Sequence, residues 1–382
     1  MRSSRKPQTT VGLDIEAGSV AAVEVTSNGS LKVSRTAIAP LGSGVVKEGE
    51  VMDAAALAEA LKDLFAENKL SKSVRLGVAN QRIAVRTLHL PLIEDADELD
   101  SAVRFQAQEH IPMPLEQAVL DYQVVARRNE GDGSGMEVVV VAARRDMIEP
   151  SMQAMRAAGL RPVGMDLSAF GMIRALASSH QAVASVSADT PPVDALAGSP
   201  TEAYAPAPTD QMPTEPLGGA ATAYCSLGDV TNIAVARGSA CLFTRISPFG
   251  LETIASRLAE RRGLALDHAR AWLDHVGLVK PLEQIEGDAP TAQQTREALE
   301  QGVSKLADEL RLSLEFYGTQ EGASVIEGIV LCGAGSTIEG LPQALEQALG
   351  RSLRVATPAA LGHLDSAQAA RLTLSYGLAL AD

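Results

Sequence analysis

Three short stretches combine glycine with small hydroxyl or acidic residues in a way that suits an anion: "GLDIEAGSV" at 12–20, "SLGDVTN" at 226–232 and "GAGST" at 333–337. Each closes an apolar, strand-like run. Glycine lets backbone N–H groups come close to a ligand oxygen, and Ser or Thr adds a hydroxyl donor. The candidate residues are Asp14, Gly18 and Ser19 in the first turn, Gly228, Thr231 and Asn232 in the second, and Gly333 and Gly335 in the third. The third reads as a Gly-rich turn opening a helix, whose first N–H groups would be free donors. Glu16 works against this chemistry. Its carboxylate either faces into the first turn and repels an anion, or points to solvent and leaves the backbone cradle intact. Any one such turn reads as ordinary strand-to-helix packing; the order of all three carries the information.

The elements that must position them alternate between strand and helix. Strands are expected at 11–17, 20–26 and 31–38, the last two joined by "SNGS", where Asn28-Gly29 supplies the positive-φ turn of a hairpin. Asp53 is expected to cap a helix whose apolar stripe is Leu57, Leu61, Leu64 and Phe65. Strands at 73–79 and 83–90 follow. From Pro91 the pattern changes to an acidic helix at 94–109, the kink "HIPMP", a strand at 119–127 and the buried strand "MEVVVVAAR". A helix capped by Asp146 and ended by Gly159 leads into "RPVGMD". This reads as a small α/β unit inserted over 91–162. The first domain would then comprise 10–90 and 163–177.

Between 178 and 218 lie seven of the chain's 19 prolines and no Lys or Arg, so the segment is expected to be a disordered linker. After it, over 219–382, the opening pattern returns. "AYCSLGDVTNIAVARGSACLFTRI" repeats the strand, turn, strand, Gly turn, strand order of "VGLDIEAGSVAAVEVTSNGSLKVSRTAI", with Ser226 opposite Asp14, Thr231 opposite Ser19 and Gly238 opposite Gly29. Helices are expected at 250–262, ended by Gly263, at 267–276 with Trp272, and at 293–318 along the stripe Leu299, Val303, Leu306, Leu310, Leu314 and Tyr317. A duplication of this length implies an α/β protein of two related domains facing each other across a cleft.

Composition narrows the partners. The 382 residues carry Lys+Arg 33 against Asp+Glu 47, a net charge of -14, with 3% aromatics, so nucleic acid finds neither a basic stripe nor a stacking surface. The longest apolar run, "VVVVAA", falls short of a membrane span, and the basic start lacks the apolar core of a signal peptide. Cys225, Cys241 and Cys332 sit in apolar runs without a C-x-x-C pair, as reduced core thiols of a cytoplasmic protein would. His268 and His275 lack a third neighbouring ligand and read as a solvated helix face.

The order of hairpin turn, insert, second hairpin turn, helices and strand-GAG turn resembles the actin-like (ribonuclease H-like) ATPase superfamily. The insert resembles the small subdomain of its FtsA and PilM branch. "LPLIEDADELDSAVRFQAQEHIPMPLEQAVLDYQVV", "EVVVVAARRDMI", "MRAAGLRPVGMDLSAFGMIRAL" and "CLFTRISPFGLETIASRLAERRGL" are similar to blocks of the type IV pilus assembly PilM family, in its order. The resemblance implies ATP with Mg²⁺ as ligand: Asp14 on the metal through water, Gly18 and Ser19 on the phosphates, Gly228, Thr231 and Asn232 in the second loop, and Gly333 and Gly335 on the adenosine side. Three departures bear on it. Glu16 replaces a glycine, Ala21 stands where a lysine is often found, and Ser226 replaces the acid of the second loop, for which Asp229 is a nearby substitute. Asp166 falls near a connecting segment that is acidic in many relatives. Binding is therefore expected more than hydrolysis.

The resemblance further implies a scaffold of pilus or related secretion machinery, bound through domain one to the cytoplasmic N-terminal tail of an inner-membrane PilN-like protein and to other pilus assembly proteins. It implies a cytoplasmic location, peripheral to the inner membrane through partners and without direct membrane insertion. An FtsA-like division scaffold would add an amphipathic membrane-binding helix, whereas this sequence closes on "LTLSYGLALAD". An active kinase of the same superfamily would need an acid in place of Ser226.

Overall fold

The computed structural model describes residues 8–28, 30–128, 135–187, 220–320 and 322–380. The first half opens with β1 (Gln8–Ile15), β2 (Ser19–Ser27) and β3 (Leu31–Pro40). A short ribbon of β4 (Val46–Lys47) and β5 (Glu50–Val51) follows, then α1 (Ala54–Glu67), β6 (Ser73–Val78) and β7 (Ala84–Pro91). Next come α2 (Ala96–His110), β8 (Ala118–Arg128), β9 (Gly135–Arg144), α3 (Arg145–Ala157), β10 (Arg161–Leu167) and α4 (Ser168–Ser187). The second half has β11 (Ala221–Leu227), β12 (Thr231–Arg237), β13 (Ala240–Ser247), α5 (Leu251–Arg262), α6 (Leu266–Val276) and α7 (Ala289–Gly318). It closes with β14 (Ile326–Cys332), α8 (Leu341–Leu349), β15 (Leu353–Val355), α9 (Ser366–Arg371) and α10 (Thr373–Ala379).

Two five-stranded sheets share one topology. Their orders, β10-β6-β1-β2-β3 and β15-β14-β11-β12-β13, both join an antiparallel three-strand meander to two parallel crossover strands. The equivalence reaches single residues: Asp14 and Ser226 are each the last residue but one of the first strand, and Ser19 and Thr231 each open the second. Gly29 lies outside the described residues.

One face of the first sheet is covered by α1 and α3, through Leu57, Leu61 and Leu64 together with Ala154 and Met155. One face of the second is covered by α5 to α8. The opposing faces meet at α4 and α10, which cross between the halves: α4 packs on Tyr224, Ala234 and Val330, while α10 packs over β1 and β2. The crossing is close because it has glycine on both sides. A Cβ added to Gly377 would lie 1.8 Å from the Gly171 carbonyl oxygen.

Some local expectations shift. The inserted unit is a three-stranded sheet, β7-β9-β8, with α2 on one face, so it takes in Ala84, seven residues before the expected start at 91. At its other end α3 packs into the first-domain core and β10 pairs with β6, so the return comes before 162. Helix α4 runs to Ser187, ten residues into the segment expected to be a linker from 178; the remainder of that segment, from 188, lies outside the described residues. Asp53 caps α1 as expected, accepting from the Ala55 and Ala56 N–H groups at 3.0 Å. Asp146 is not a cap: Arg144 holds that position, and Asp146 pairs with its guanidinium at 2.7 Å from the first turn. Helix α7 starts at Ala289, earlier than expected, because Asp288 accepts from the Thr291 N–H at 2.9 Å.

Candidate functional site

The turns after β1 and β11 lie at the same end of their sheets and face each other, and their contact is made by the two acidic residues that depart from a phosphate-loop pattern. The Asp229 carboxylate accepts from the Ala17 N–H and, at 3.3 Å, from the Gly18 N–H. In return, the Glu16 carboxylate lies against the Gly228–Asp229 turn. Glu16 therefore faces into the cleft, which resolves the alternative left open by the sequence. It can do so because residue 228 is glycine: a Cβ there would sit 1.9 Å from Glu16 Oε1.

Three carboxylates thus share a desolvated space, which disfavours their charged forms. Burial pushes the Asp14 carboxyl up to about 6; the Ser168 hydroxyl, donating to it at 3.3 Å, works against this, and the Asp229 charge adds to it. Burial also raises Asp229 to about 6, helped by Glu252 and opposed by Arg270 and by the Ala17 and Gly18 N–H groups. Glu16 is held well above the ordinary carboxylate range by burial and by Asp229 and Asp14, with Arg371 acting in the other direction.

The compensating positive charge comes from the second half. Ala21, where a lysine is often found in the resembling families, is buried against Leu361, Leu372 and Ala379, so a long cationic side chain has no room there. Instead, the Arg270 guanidinium lies against Gly18, fixed by Glu252 at 2.7 and 2.9 Å and by Asp267 at 2.6 Å. Arg371 sits 3.8 Å from Asp274 and acts on Glu16. Neither arginine was legible as a site residue, because each belongs by pattern to the solvated face of a helix.

The remaining expected residues divide. Asp14 and Asn232 line a cleft cavity with Glu16, Gly77, Ser168 and Asp229, and the buried Asn232 Oδ1 has no hydrogen-bond partner among the described residues. The Ser19 carbonyl closes the first turn by accepting from the Glu16 N–H at 2.9 Å. The Thr231 hydroxyl is spent on the Phe249 carbonyl at 2.7 Å. Gly333 and Gly335 lie against β11, where added Cβ atoms would come within 2.8 Å of Leu227 O and 2.4 Å of the Leu227 side chain. The expected helix start at GAGST is a short 3₁₀ turn, and α8 begins only at Leu341. Its Ser336 and Ile338 N–H groups bond back to Gly333 and Gly335 and are not free donors. Asp166 pairs with Arg174 and is not among the residues lining the cleft cavity.

These contacts bear on how ATP with Mg²⁺ would meet this arrangement. The loop donors are engaged by Asp229, and Arg270 and Arg371 act on the Asp229 and Glu16 carboxylates. In this closed arrangement a phosphate would have to displace the Asp229 carboxylate from the Ala17 and Gly18 N–H groups.

Two like-folded halves with facing turns and two helices crossing between them define the actin-like ATPase fold. MreB 5 of Spiroplasma citri bound to AMPPNP shares it at 11% identity and TM-score 0.52, over 98% of this chain and 95% of that one. Ethanolamine utilization protein EutJ from Carboxydothermus hydrogenoformans does so at 14% identity and TM-score 0.51, over 99% and 91%. A chain of a PilM-PilN type IV pilus biogenesis complex is similar at 24% identity and TM-score 0.74, over 97% of both chains. The chain belongs to the type IV pilus assembly protein PilM family, whose model matches residues 12–193 and 207–380. Among the described residues no helix is long and apolar enough to cross a membrane.

Proposed function

We propose that this chain is a cytoplasmic scaffold of the type IV pilus assembly machinery that binds the N-terminal tail of an inner-membrane PilN-like protein and so is held at the membrane by its partner. The observation that carries this reading is the family match over residues 12–193 and 207–380, in both halves, joined to a fold shared over 97% of a chain of a PilM-PilN complex. A scaffold role also accords with the cleft, whose turns are closed upon each other by their own side chains. A groove between rigid units suits an extended peptide, whose backbone and alternate side chains it reads.

Fluorescence anisotropy with a labelled peptide of the partner's cytoplasmic tail tests the proposal. Saturable binding to the full chain is expected, with loss of binding when the 84–144 sheet unit is removed from a chain whose remaining core still melts cooperatively. A folded full chain that shows no saturation at millimolar peptide refutes it.

A further inference from the structure

We infer that the cleft between the halves is latched by a reciprocal carboxylate clasp, in which Asp229 occupies the Ala17 and Gly18 N–H donors and Glu16 is seated against Gly228 of the opposite turn, so that the chain supplies its own occupant of the anion cradle. A carboxylate and a phosphate offer the same thing to such donors, namely anionic oxygens at hydrogen-bond distance. Asp229 is therefore an internal competitor for any anion that the first turn could hold.

The surrounding residues are arranged around the clasp and not around an open cradle. Gly228 gives Glu16 its seat, since any larger residue there would meet Glu16 Oε1. Arg270, held by Glu252 and Asp267, lies against Gly18 and partly balances Asp229. Arg371 partly balances Glu16. The loops belong to different halves, so breaking the Ala17 and Gly18 N–H contacts to Asp229 is the local requirement for the cleft to part. A site competent for only a fraction of the time binds its ligand weaker by that fraction. A clasp formed 90% of the time or more, an order-of-magnitude assumption, would weaken anion binding about tenfold or more.

Two variants separate a latch from simple charge repulsion. Asp229→Ala removes the competitor and a negative charge together, whereas Gly228→Ala unseats Glu16 with no change of charge. The first measurement is amide hydrogen exchange at Ala17 and Gly18 in the full chain, read against Val23 in the adjacent strand. Both variants are expected to speed exchange at Ala17 and Gly18 about tenfold or more while Val23 is unchanged. The second is a titration with Mg-ADP, expected to tighten about tenfold or more in both variants. Unchanged exchange at Ala17 and Gly18 in either folded variant overturns the inference. So does a gain in Mg-ADP affinity confined to Asp229→Ala, which would reduce the effect to charge. If neither variant takes up Mg-ADP, the exchange result decides alone. Latch opening and tail-peptide binding are read by different signals, so the failure of one leaves the other standing.

Discussion

The strained electrostatics of the cleft make folding stability depend on pH in an unusual direction. Asp14 moves from an ordinary value of 3.8 to about 6 on folding. Between those values the folded chain keeps a proton that the unfolded chain has released, so folding is favoured as pH falls. Above pH 6 the fold carries the charged form at a cost. The gap from 3.8 to about 6, at about 1.36 kcal/mol per pH unit, sets that cost at about 3 kcal/mol at pH 8. It falls to roughly half that at pH 5, and little is left below 3.8. Asp14→Asn keeps an oxygen for the Ser168 hydroxyl while removing the charge. In buffer without nucleotide or Mg²⁺, its thermal midpoint should exceed that of the parent at pH 8. At about 2–4 °C per kcal/mol for domains of this size, the difference is about 6–12 °C. It should shrink by about half at pH 5. Scanning calorimetry at the two pH values measures both. An Asn variant no more stable than the parent at pH 8, or one whose advantage does not shrink at pH 5, refutes the reasoning.

Other perturbations have equally definite outcomes. Arg270→Ala removes a group that lowers the Asp229 value, so the Asp229 carboxyl should titrate above its present value of about 6, as followed by carbon NMR of the labelled side chain. Gly377→Val places atoms inside the Gly171 carbonyl at the α4–α10 crossing and should cost about 3 kcal/mol or more, seen as an earlier thermal transition. Asp53→Ala deletes the cap of α1 and should cost about 1 kcal/mol, with tail-peptide affinity unchanged.

Much of this protein was determined by local sequence. The strand and helix periods, the duplicated hairpins with Asp14 and Ser226 in matching places, the Asp53 cap and the αL ending of α5 at Gly263 follow from patterns within about twenty residues of each other. The boundaries of the inserted sheet were less legible. Strand β7 reads alike whether it pairs with the first sheet or the inserted one, and only its partner β9 decides. The GAGST stretch misled because a Gly-rich turn before an apolar run reads the same whether or not its N–H groups bond back on themselves.

What the tertiary structure alone decided is how the two turns use their acidic residues. Glu16 and Asp229 lie more than two hundred residues apart, and no local preference tells a carboxylate at position 16 that a glycine seat will face it. Likewise, Ala21 is small because α9 and α10 pack over it, and the cationic charge comes instead from Arg270 and Arg371 in the other half. Sequence sets which groups a turn carries; the placement of one half against the other sets whether those groups meet a ligand or each other.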